Sequence, residues 1–495
     1  MNLAQIRTRT DTQAFFRFRT LGDQIVVTNR EGNFAVLNRD EFALFAGGNT
    51  VPGSALHERL KARNFLKDGF DASKTAARIA IRKRFLGTGP NLHILVLTLR
   101  CNETCVYCHS SRAQLGATDT DMTKETAEKS VDLALKSTSQ SVTIEFQGGE
   151  PLLNFPVLKH TIEYALEQNK SVGKTIEFTL VSNLSLMDEE KLAYLMEKRV
   201  QICTSIDGPK HLHDKQRKLP GLSAHDAATY WMRRINRAYE EQGLDPTLYR
   251  VEALLTTTRE TLPLWKEVVD TYVDAGCRAL FLRPLDPFGF AAKTGQRNDY
   301  PREDYLKFYS SAVDYMLELN ARGVQILERF AAIFLTKILG GEDPNYLDIR
   351  SPCGAGIGQV AYNYDGSVYT CDEGRMLREM GDEAFLIGHV STSNYRSLMG
   401  HETVRALAVA SNLDAQPDCT NCAYNPYCGV CPVYNHRTQG HIWGRMRESP
   451  WCAVHKGIQD YLFRKIGEAD PQTMQTFQRW TTVRDRSHFL QTCGP

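Results

Sequence analysis

Two hydrophobic rhythms alternate between residue 88 and about residue 300. Six runs rich in β-branched and aromatic residues predict strands: LHILVLTLR (92–100), SVTIEFQGG (141–149), TIEFTLVSN (175–183), VQICTSIDG (200–208), YRVEALLTTT (249–258) and CRALFLRPL (277–285). Between them lie stretches such as TKETAEKSVDLALKS, where apolar residues recur at three-and-four spacing behind a Thr-x-x-Glu-like start, predicting helices. Near-continuous apolar strands separated by helices predict a parallel sheet covered on the outside. Six such units predict an α/β fold, a partial (β/α)6 barrel over 88–300.

The flanks carry other patterns. In residues 1–87, FFRFRT, DQIVVTN and NFAVLN read as short strands joined by polar turns; a glycine-closed helix, RDEFALFAGG, and a helical SALHERLKARNFL follow. Three strands and short helices make a small winged-helix-like module. In 301–350, REDYLKFYSSAVDYMLELNARG and ERFAAIFLTKILGG predict bridging helices. From 351 to 460 periodicity fades while Cys, Gly, Tyr and Asn accumulate, and a segment of that make-up needs metal to hold it together. Residues 461–495 are expected to form a C-terminal tail.

At 495 residues and 42% hydrophobic content the chain is long enough for several buried cores. A formal net charge of +1 provides no long-range field to gather nucleic acid or anionic lipid, so neither is an expected partner. MNLAQIRTRTDTQAFFRFR holds no uninterrupted apolar run of the secretory kind, and no later segment approaches a membrane span. The expected location is cytoplasmic, where thiols stay reduced, so thirteen cysteines point to metal ligation over disulfides. Ten fall in two dense groups. Cys203, Cys277 and Cys493 lie apart and read as small buried hydrophobes or an inert tail thiol.

The first group, LRCNETCVYCHSS, sets Cys101, Cys105 and Cys108 in C-x3-C-x2-C spacing directly after the first strand. Active groups in β/α folds sit at such strand ends, where the loops converge. Three thiolates can bind three irons of a four-iron cubane and leave one open, whereas cluster ligation otherwise expects four cysteines. Zinc would need His109 as a fourth ligand, and intervals of three and two residues are not the paired zinc-knuckle pattern. The motif, with Tyr107 before its last cysteine, resembles the radical S-adenosylmethionine (SAM) superfamily. That resemblance implies a [4Fe-4S] cluster whose open iron is chelated by SAM, and reductive cleavage of SAM to a 5'-deoxyadenosyl radical that abstracts a substrate hydrogen. A reducing electron donor of flavodoxin or ferredoxin type goes with it.

Residues on the following strand ends carry the same resemblance. GGEP supplies Gly148, Gly149 and Glu150 at the second strand, where relatives bind the SAM amino group; glycine lets backbone approach a ligand, and a carboxylate suits an ammonium. VSN supplies Ser182 and Asn183 at the third, toward the ribose and carboxylate. SIDGPKHLHDKQR supplies Ser205 and Asp207 at the fourth and Arg217 beyond them, a guanidinium suited to the SAM carboxylate. Tyr107 is expected against the adenine. Taken singly, each is an ordinary turn or strand end. CGAGIGQ (353–359) imitates a dinucleotide fingerprint but lacks the preceding strand and βαβ setting.

The second group comprises CGAGIGQVAYNYDGSVYTCD, CTNCAYNPYCGVC and Cys452, and resembles the SPASM extension of radical SAM enzymes that act on peptides and proteins. By that resemblance Cys419, Cys422, Cys428 and Cys452 hold one auxiliary Fe-S cluster. Cys353, Cys371 and Cys431 bind a second, Gly366 belonging to the same pattern. Cys431 lies three residues after Cys428 where the family usually has four, and GAGIGQV brings no further cysteine, so the second site is short of a thiolate. A zinc ribbon fits poorly, because its C-x2-C pairs would be only five residues apart. Asp372 follows Cys371 directly, where sulfatase-maturing relatives carry a catalytic base for side-chain oxidation; the plainer readings are a solvated loop acid or an outer hydrogen-bond acceptor.

The N-terminal module resembles the PqqD-like recognition element, in which a precursor's leader peptide pairs with an exposed strand edge. FRFRTLGDQIVVTNREGNFAVLN ahead of a SPASM-type radical SAM core is most similar to the His-Xaa-Ser system radical SAM maturase (HxsB) family. That implies a ribosomally made precursor peptide with His-x-Ser repeats, a second radical SAM maturase as partner, and a crosslink or oxidised side chain as product. Two alternatives stand beside it: a maturase of a folded enzyme, like the anaerobic sulfatase maturases, and a non-catalytic Fe-S electron carrier.

Overall fold

The computed structural model describes residues 12–344, 349–482 and 485–492. Cys493, residues 1–11 of the expected N-terminal module and residues 345–348 lie outside the described residues. The chain begins with an antiparallel meander, β1 (Arg17–Leu21), β2 (Gln24–Thr28) and β3 (Phe34–Leu37), followed by helices Arg39–Ala46, Ala55–Lys61 and Ala72–Arg82. Asn38 caps the first helix by accepting from the Glu41 N–H while the Glu41 side chain reaches back to the Asn38 N–H. Val27, Leu37, Phe45, Leu60 and Phe65 fill the core of this unit.

Six parallel strands follow in sequence order: β4 (Leu92–Val96), β5 (Ser141–Gln147), β6 (Thr175–Val181), β7 (Gln201–Ser205), β8 (Glu252–Thr256) and β9 (Leu282–Arg283). Their alternation is sharper than near-continuous apolar runs suggest. On β5, Val142, Ile144 and Phe146 join the apolar core with helices Lys124–Leu135 and Phe155–Val172, whereas Thr143, Glu145 and Gln147 line an interior cavity. Successive side chains of a strand point to opposite faces, so the covered outer face is apolar and the inner one polar. The helix Lys124–Leu135 starts at Thr123, which accepts from the Thr126 N–H at 3.1 Å, so threonine and not glutamate stands at the third position of the cap. The run at 277–285 is divided: Ala279–Leu280 pairs with Leu327–Glu328, and only Leu282–Arg283 joins β8.

The cysteine-rich region shares this sheet. Strand β10 (Gln359–Tyr362) adds in parallel to β4, with Gln359 opposite Leu92 and Tyr362 opposite Leu95. Strands β11 (Ser367–Tyr369) and β12 (Leu386–His389) continue it antiparallel. His93 joins the two regions, its Nδ1 lying 3.1 Å from the Tyr362 hydroxyl and its Nε2 3.1 Å from the Pro90 carbonyl oxygen. Helix Pro450–Glu468 runs through position 460 and packs on helices Arg302–Ala321 and Arg329–Leu335, so the expected tail begins inside a packed helix. Strand β13 (Leu490–Gln491) then pairs antiparallel with the start of β6, and Phe489 lies 5.5 Å from the Tyr249 ring.

The N-terminal unit docks on the same C-terminal region. Arg19 pairs with Asp460, Thr28 Oγ1 donates to the Ala423 carbonyl at 2.7 Å, and the Tyr427 hydroxyl donates to the Gly32 carbonyl at 2.9 Å. Phe34 meets Phe463 edge-on at 5.5 Å. Among the described residues no helix is long and apolar enough to cross a membrane.

Candidate active site

A cavity of about 450 Å³ opens inside the six strands. The loop after β4 brings Cys101, Cys105, Tyr107 and Cys108 to its wall, and the loops after the next two strands bring Gly148, Gly149, Ser182 and Asn183. Ser205 and Arg217 line it as well. Glu150 and Asp207 are 0% exposed and stand behind the wall.

The cysteine loop is clamped to its neighbour strand. The Gly149 N–H donates to the Thr98 carbonyl at 2.7 Å, and the Glu150 N–H to the Arg100 carbonyl at 2.7 Å. A Cβ on Gly149 would lie 2.3 Å from the Arg100 carbonyl oxygen and 2.4 Å from that of Leu99, and one on Gly148 (φ +156°) 2.2 Å from that of Thr98. The close approach that requires glycine here is therefore to the 98–100 backbone. Arg100 in turn forks onto Asp121, at 2.8 and 2.6 Å.

Two buried carboxylates brace the strand ends. Glu150, expected to face an ammonium, accepts from the Leu152 N–H at 2.9 Å, Ser182 Oγ at 2.9 Å and the Asn183 N–H at 2.8 Å. Burial pushes its carboxyl up to about 7, against hydrogen bonds that favour the ionised form. It thereby joins the second strand end to the third and positions Asn183, whose Nδ2 lies 3.9 Å from Cys101 Sγ. Asp207 accepts from the Tyr107 hydroxyl and from Arg217 Nε at 3.1 Å. Arg217, expected to meet the SAM carboxylate, stands on the cavity wall, pairs with Asp207, lies 5.4 Å from the Tyr107 ring centroid and brings Nη1 within 3.9 Å of Cys105 Sγ. Tyr107 is 3% exposed, its hydroxyl tied to Asp207.

Burial pushes the Cys101 and Cys105 thiols up, so ligation must supply the charge that stabilises their thiolates. Three thiols on one loop, with an amide and a guanidinium N–H directed at two sulfurs, fit a polynuclear iron-sulfur cluster. Among the described residues no three His, Cys, Asp or Glu side chains converge on one point as a single ion requires; a cluster whose irons take different thiolates spaces its ligands more widely. His109 is half-buried beside Tyr107, and loss of solvent around its ring lowers its pKa to about 4, keeping the ring neutral.

The second cysteine group divides in two. Cys353, Cys371 and Cys431 share one buried cluster with Phe288, Leu377 and Phe385. Cys371 Sγ accepts from the Gly374 N–H and Cys431 Sγ from the Tyr434 N–H, each at 3.4 Å, so both sulfurs cap helix N-termini. Cys419, Cys428 and Cys452 meet in a separate cluster, and Cys422 lies within electrostatic reach of all three. Asp372 opens helix Asp372–Arg378 and lines the cavity inside the six strands. It is no solvated loop acid: it is 6% exposed, and its Oδ1 accepts from Arg375 Nε at 3.0 Å and Nη2 at 2.7 Å.

The cavity also holds groups that sequence reasoning passed over. Cys203, read as a buried hydrophobe, lines it, as do Glu103, Arg112, Glu145, Glu252 and Arg486. Glu103 and Glu145 had a signal, a polar residue inside the cysteine motif and on the inward register of β5. Arg486 had none, because only the return of the chain to β6 brings it there.

Residues 95–228 match the Radical SAM superfamily. The serine-type anaerobic sulfatase-maturating enzyme of Bacteroides thetaiotaomicron is 30% identical over 354 residues, 67% of this chain and 80% of that protein. Among solved structures, native anSMEcpe with bound AdoMet and Kp18Cys peptide aligns with a TM-score of 0.62 at 21% identity, covering 77% of this chain and 99% of that one. Streptococcus suis SuiB bound to precursor peptide SuiA aligns with a TM-score of 0.52 at 14% identity, covering 89% and 99%. At these identities the two structural likenesses speak to the fold.

Proposed function

Because this chain belongs to the radical SAM superfamily, whose members work with a [4Fe-4S] cluster and SAM, we propose that it is a peptide-modifying enzyme with Cys101, Cys105 and Cys108 as cluster ligands. One observation carries this reading: the C-x3-C-x2-C loop stands on the wall of a cavity lined by successive strand ends. When bound, the cluster and SAM supply one-electron chemistry and a carbon-centred radical that removes a substrate hydrogen. The protein's own part is positional. Asn183 and Arg217 direct N–H groups at the sulfurs of Cys101 and Cys105, favouring their anionic form. Glu150 and Asp207, both fully buried, hold the strand ends in register. Gly148, Gly149, Ser182, Asn183 and Ser205, with Tyr107 toward the adenine and Arg217 toward the carboxylate, are the SAM contacts in this reading, and Glu150 and Asp207 belong to the same cofactor site.

The substrate is a ribosomally made precursor of the His-Xaa-Ser type, the product a crosslink or an oxidised side chain. The peptides bound in the two structural neighbours support a peptide substrate. The N-terminal unit acts as a PqqD-like leader site, docked against a SPASM-like region whose cysteines carry auxiliary clusters. Electrons come from a flavodoxin or ferredoxin in the cytoplasm, and a second radical SAM maturase acts beside it.

Reconstituted, reduced protein given SAM should release 5'-deoxyadenosine, and the triple variant C101A/C105A/C108A should release none while retaining iron at the second group. No 5'-deoxyadenosine from the wild type would leave only the electron-carrier reading. The sulfatase-maturase alternative draws on the Bacteroides thetaiotaomicron relative. It predicts that a short target motif is modified equally well with or without a leader and with or without residues 1–87. Because that deletion bares Phe463 and Tyr427, competition by free leader peptide against the intact chain provides the control.

A further inference from the structure

Most charges on the cavity wall already have counter-charges. Arg217 pairs with Asp207, Arg329 with Glu252 at 2.6 Å, Arg486 with Glu177, and Asp372 with Arg375 at 2.7 Å. Glu145 differs. It sits mid-strand on the inward register of β5, and its hydrogen-bond donors are neutral: Gln147 Nε2 at 2.6 Å on Oε1 and Thr179 Oγ1 at 3.1 Å on Oε2. A carboxylate accepts about four hydrogen bonds, so capacity is left on both oxygens toward the cavity. Burial raises its pKa, and Asp372 lies near enough to add to that effect. An anion in such a place is costly to hold without a cation, and the guanidinium within its electrostatic reach, Arg486, is engaged by Glu177 and by Gln201 at 2.6 Å.

We infer that Glu145, with Thr179 beside it on β6, forms the subsite for a basic side chain of the substrate, an ammonium, guanidinium or imidazolium that donates an N–H to the free carboxylate lone pairs. The inference rests on the peptide-modifying reading above. A cation there completes the charge of the wall and gains a charge-assisted hydrogen bond. An acidic side chain would face Glu145, Asp372 and Glu252 and find Arg112, beside the cysteine loop, as its alternative partner.

The probe is a set of blocked pentapeptides, Gly-Gly-X-Gly-Gly with X as Lys, Arg, His, Ser, Leu or Asp. Binding to cluster-loaded enzyme with SAM but no reductant is followed by saturation-transfer NMR at low salt, so no turnover is needed. Basic X should bind roughly tenfold tighter than Ser or Leu, the difference one charge-assisted hydrogen bond provides. E145Q should reduce that preference to about twofold or less and E145D should keep most of it, while E125Q, exposed on the outer helix Lys124–Leu135, leaves it in place. Retained SAM binding and an unchanged circular dichroism melt of E145Q exclude misfolding as the cause. Equal binding of all peptides, absence of binding by any, preference for Asp, or an E145Q variant that discriminates like the wild type would each overturn the assignment. Release of 5'-deoxyadenosine on reduction, measured on the same preparations, reports separately whether the radical SAM reading holds.

Discussion

Removing the carboxylate of Asp207 strips the cysteine loop of its main brace. Asp207 is 0% and Arg217 11% exposed at the side chain, with Nε and Oδ2 3.1 Å apart. At an effective dielectric of about 20 that separation corresponds to about 5 kcal/mol of attraction. The net cost of deleting one partner is the buried charge left behind, about 3–5 kcal/mol, to which the orphaned Tyr107 hydroxyl adds about 1 kcal/mol. At roughly 2–4 °C per kcal/mol for a cooperative unit near 200 residues, Asp207→Ala should lower the melting temperature by roughly 8–24 °C. The assay is scanning calorimetry of metal-free protein, which separates the brace from cluster stabilisation. A double variant, Asp207→Leu with Arg217→Met, removes both charges and should recover most of the loss, because apolar replacement of a buried pair is often neutral. If the single variant shifts by less than about 2 °C, or the double variant melts no higher than the single one, the pair is not the brace described.

Three further outcomes follow from the geometry. Burial lowers the His93 pKa to about 4 from 6.5, so as pH falls through that window the unfolded chain takes up the proton first; stability should drop by about 3 kcal/mol, and His93→Gln should flatten this slope in urea titrations at pH 4 and 7. Gly149→Ala, whose Cβ would meet two carbonyl oxygens, should cost about 1–3 kcal/mol or more and lower iron at the first site, while Gly116→Ala, with nothing within 4 Å, should not. Ending the chain at residue 484 removes β13, which pairs with the start of β6, and Arg486, which lines the cavity and bonds Glu177 and Gln201; SAM cleavage should continue while modified peptide per 5'-deoxyadenosine falls.

The motifs were legible because each is short and contiguous. Cys101, Cys105 and Cys108 occupy one loop, and the glycines of GGEP occupy the next, so strand order alone brings them together. The polar alternation Thr143, Glu145, Gln147 against Val142, Ile144, Phe146 also stands in the sequence, although the sheer density of apolar residues hid it. Roles were harder to read than places. Arg217 and Glu150, expected at the cofactor, also bond to protein partners, and no local pattern announces that a charge at a strand end locks two loops together.

The sequence by itself determined the chemistry on offer: an α/β chain with three thiols after its first parallel strand, and a second group of cysteines beyond it. Those features depend on periodicity and spacing, which are local properties of the chain. Only the tertiary structure decided that the cysteine-rich region extends the main sheet through β10, that the last described residues return to β6, and that Glu145 faces a shared cavity. Such contacts join residues hundreds of positions apart, and they form because burying apolar surface and pairing buried charges favour one packing of elements whose sequences carry no mark of their partners.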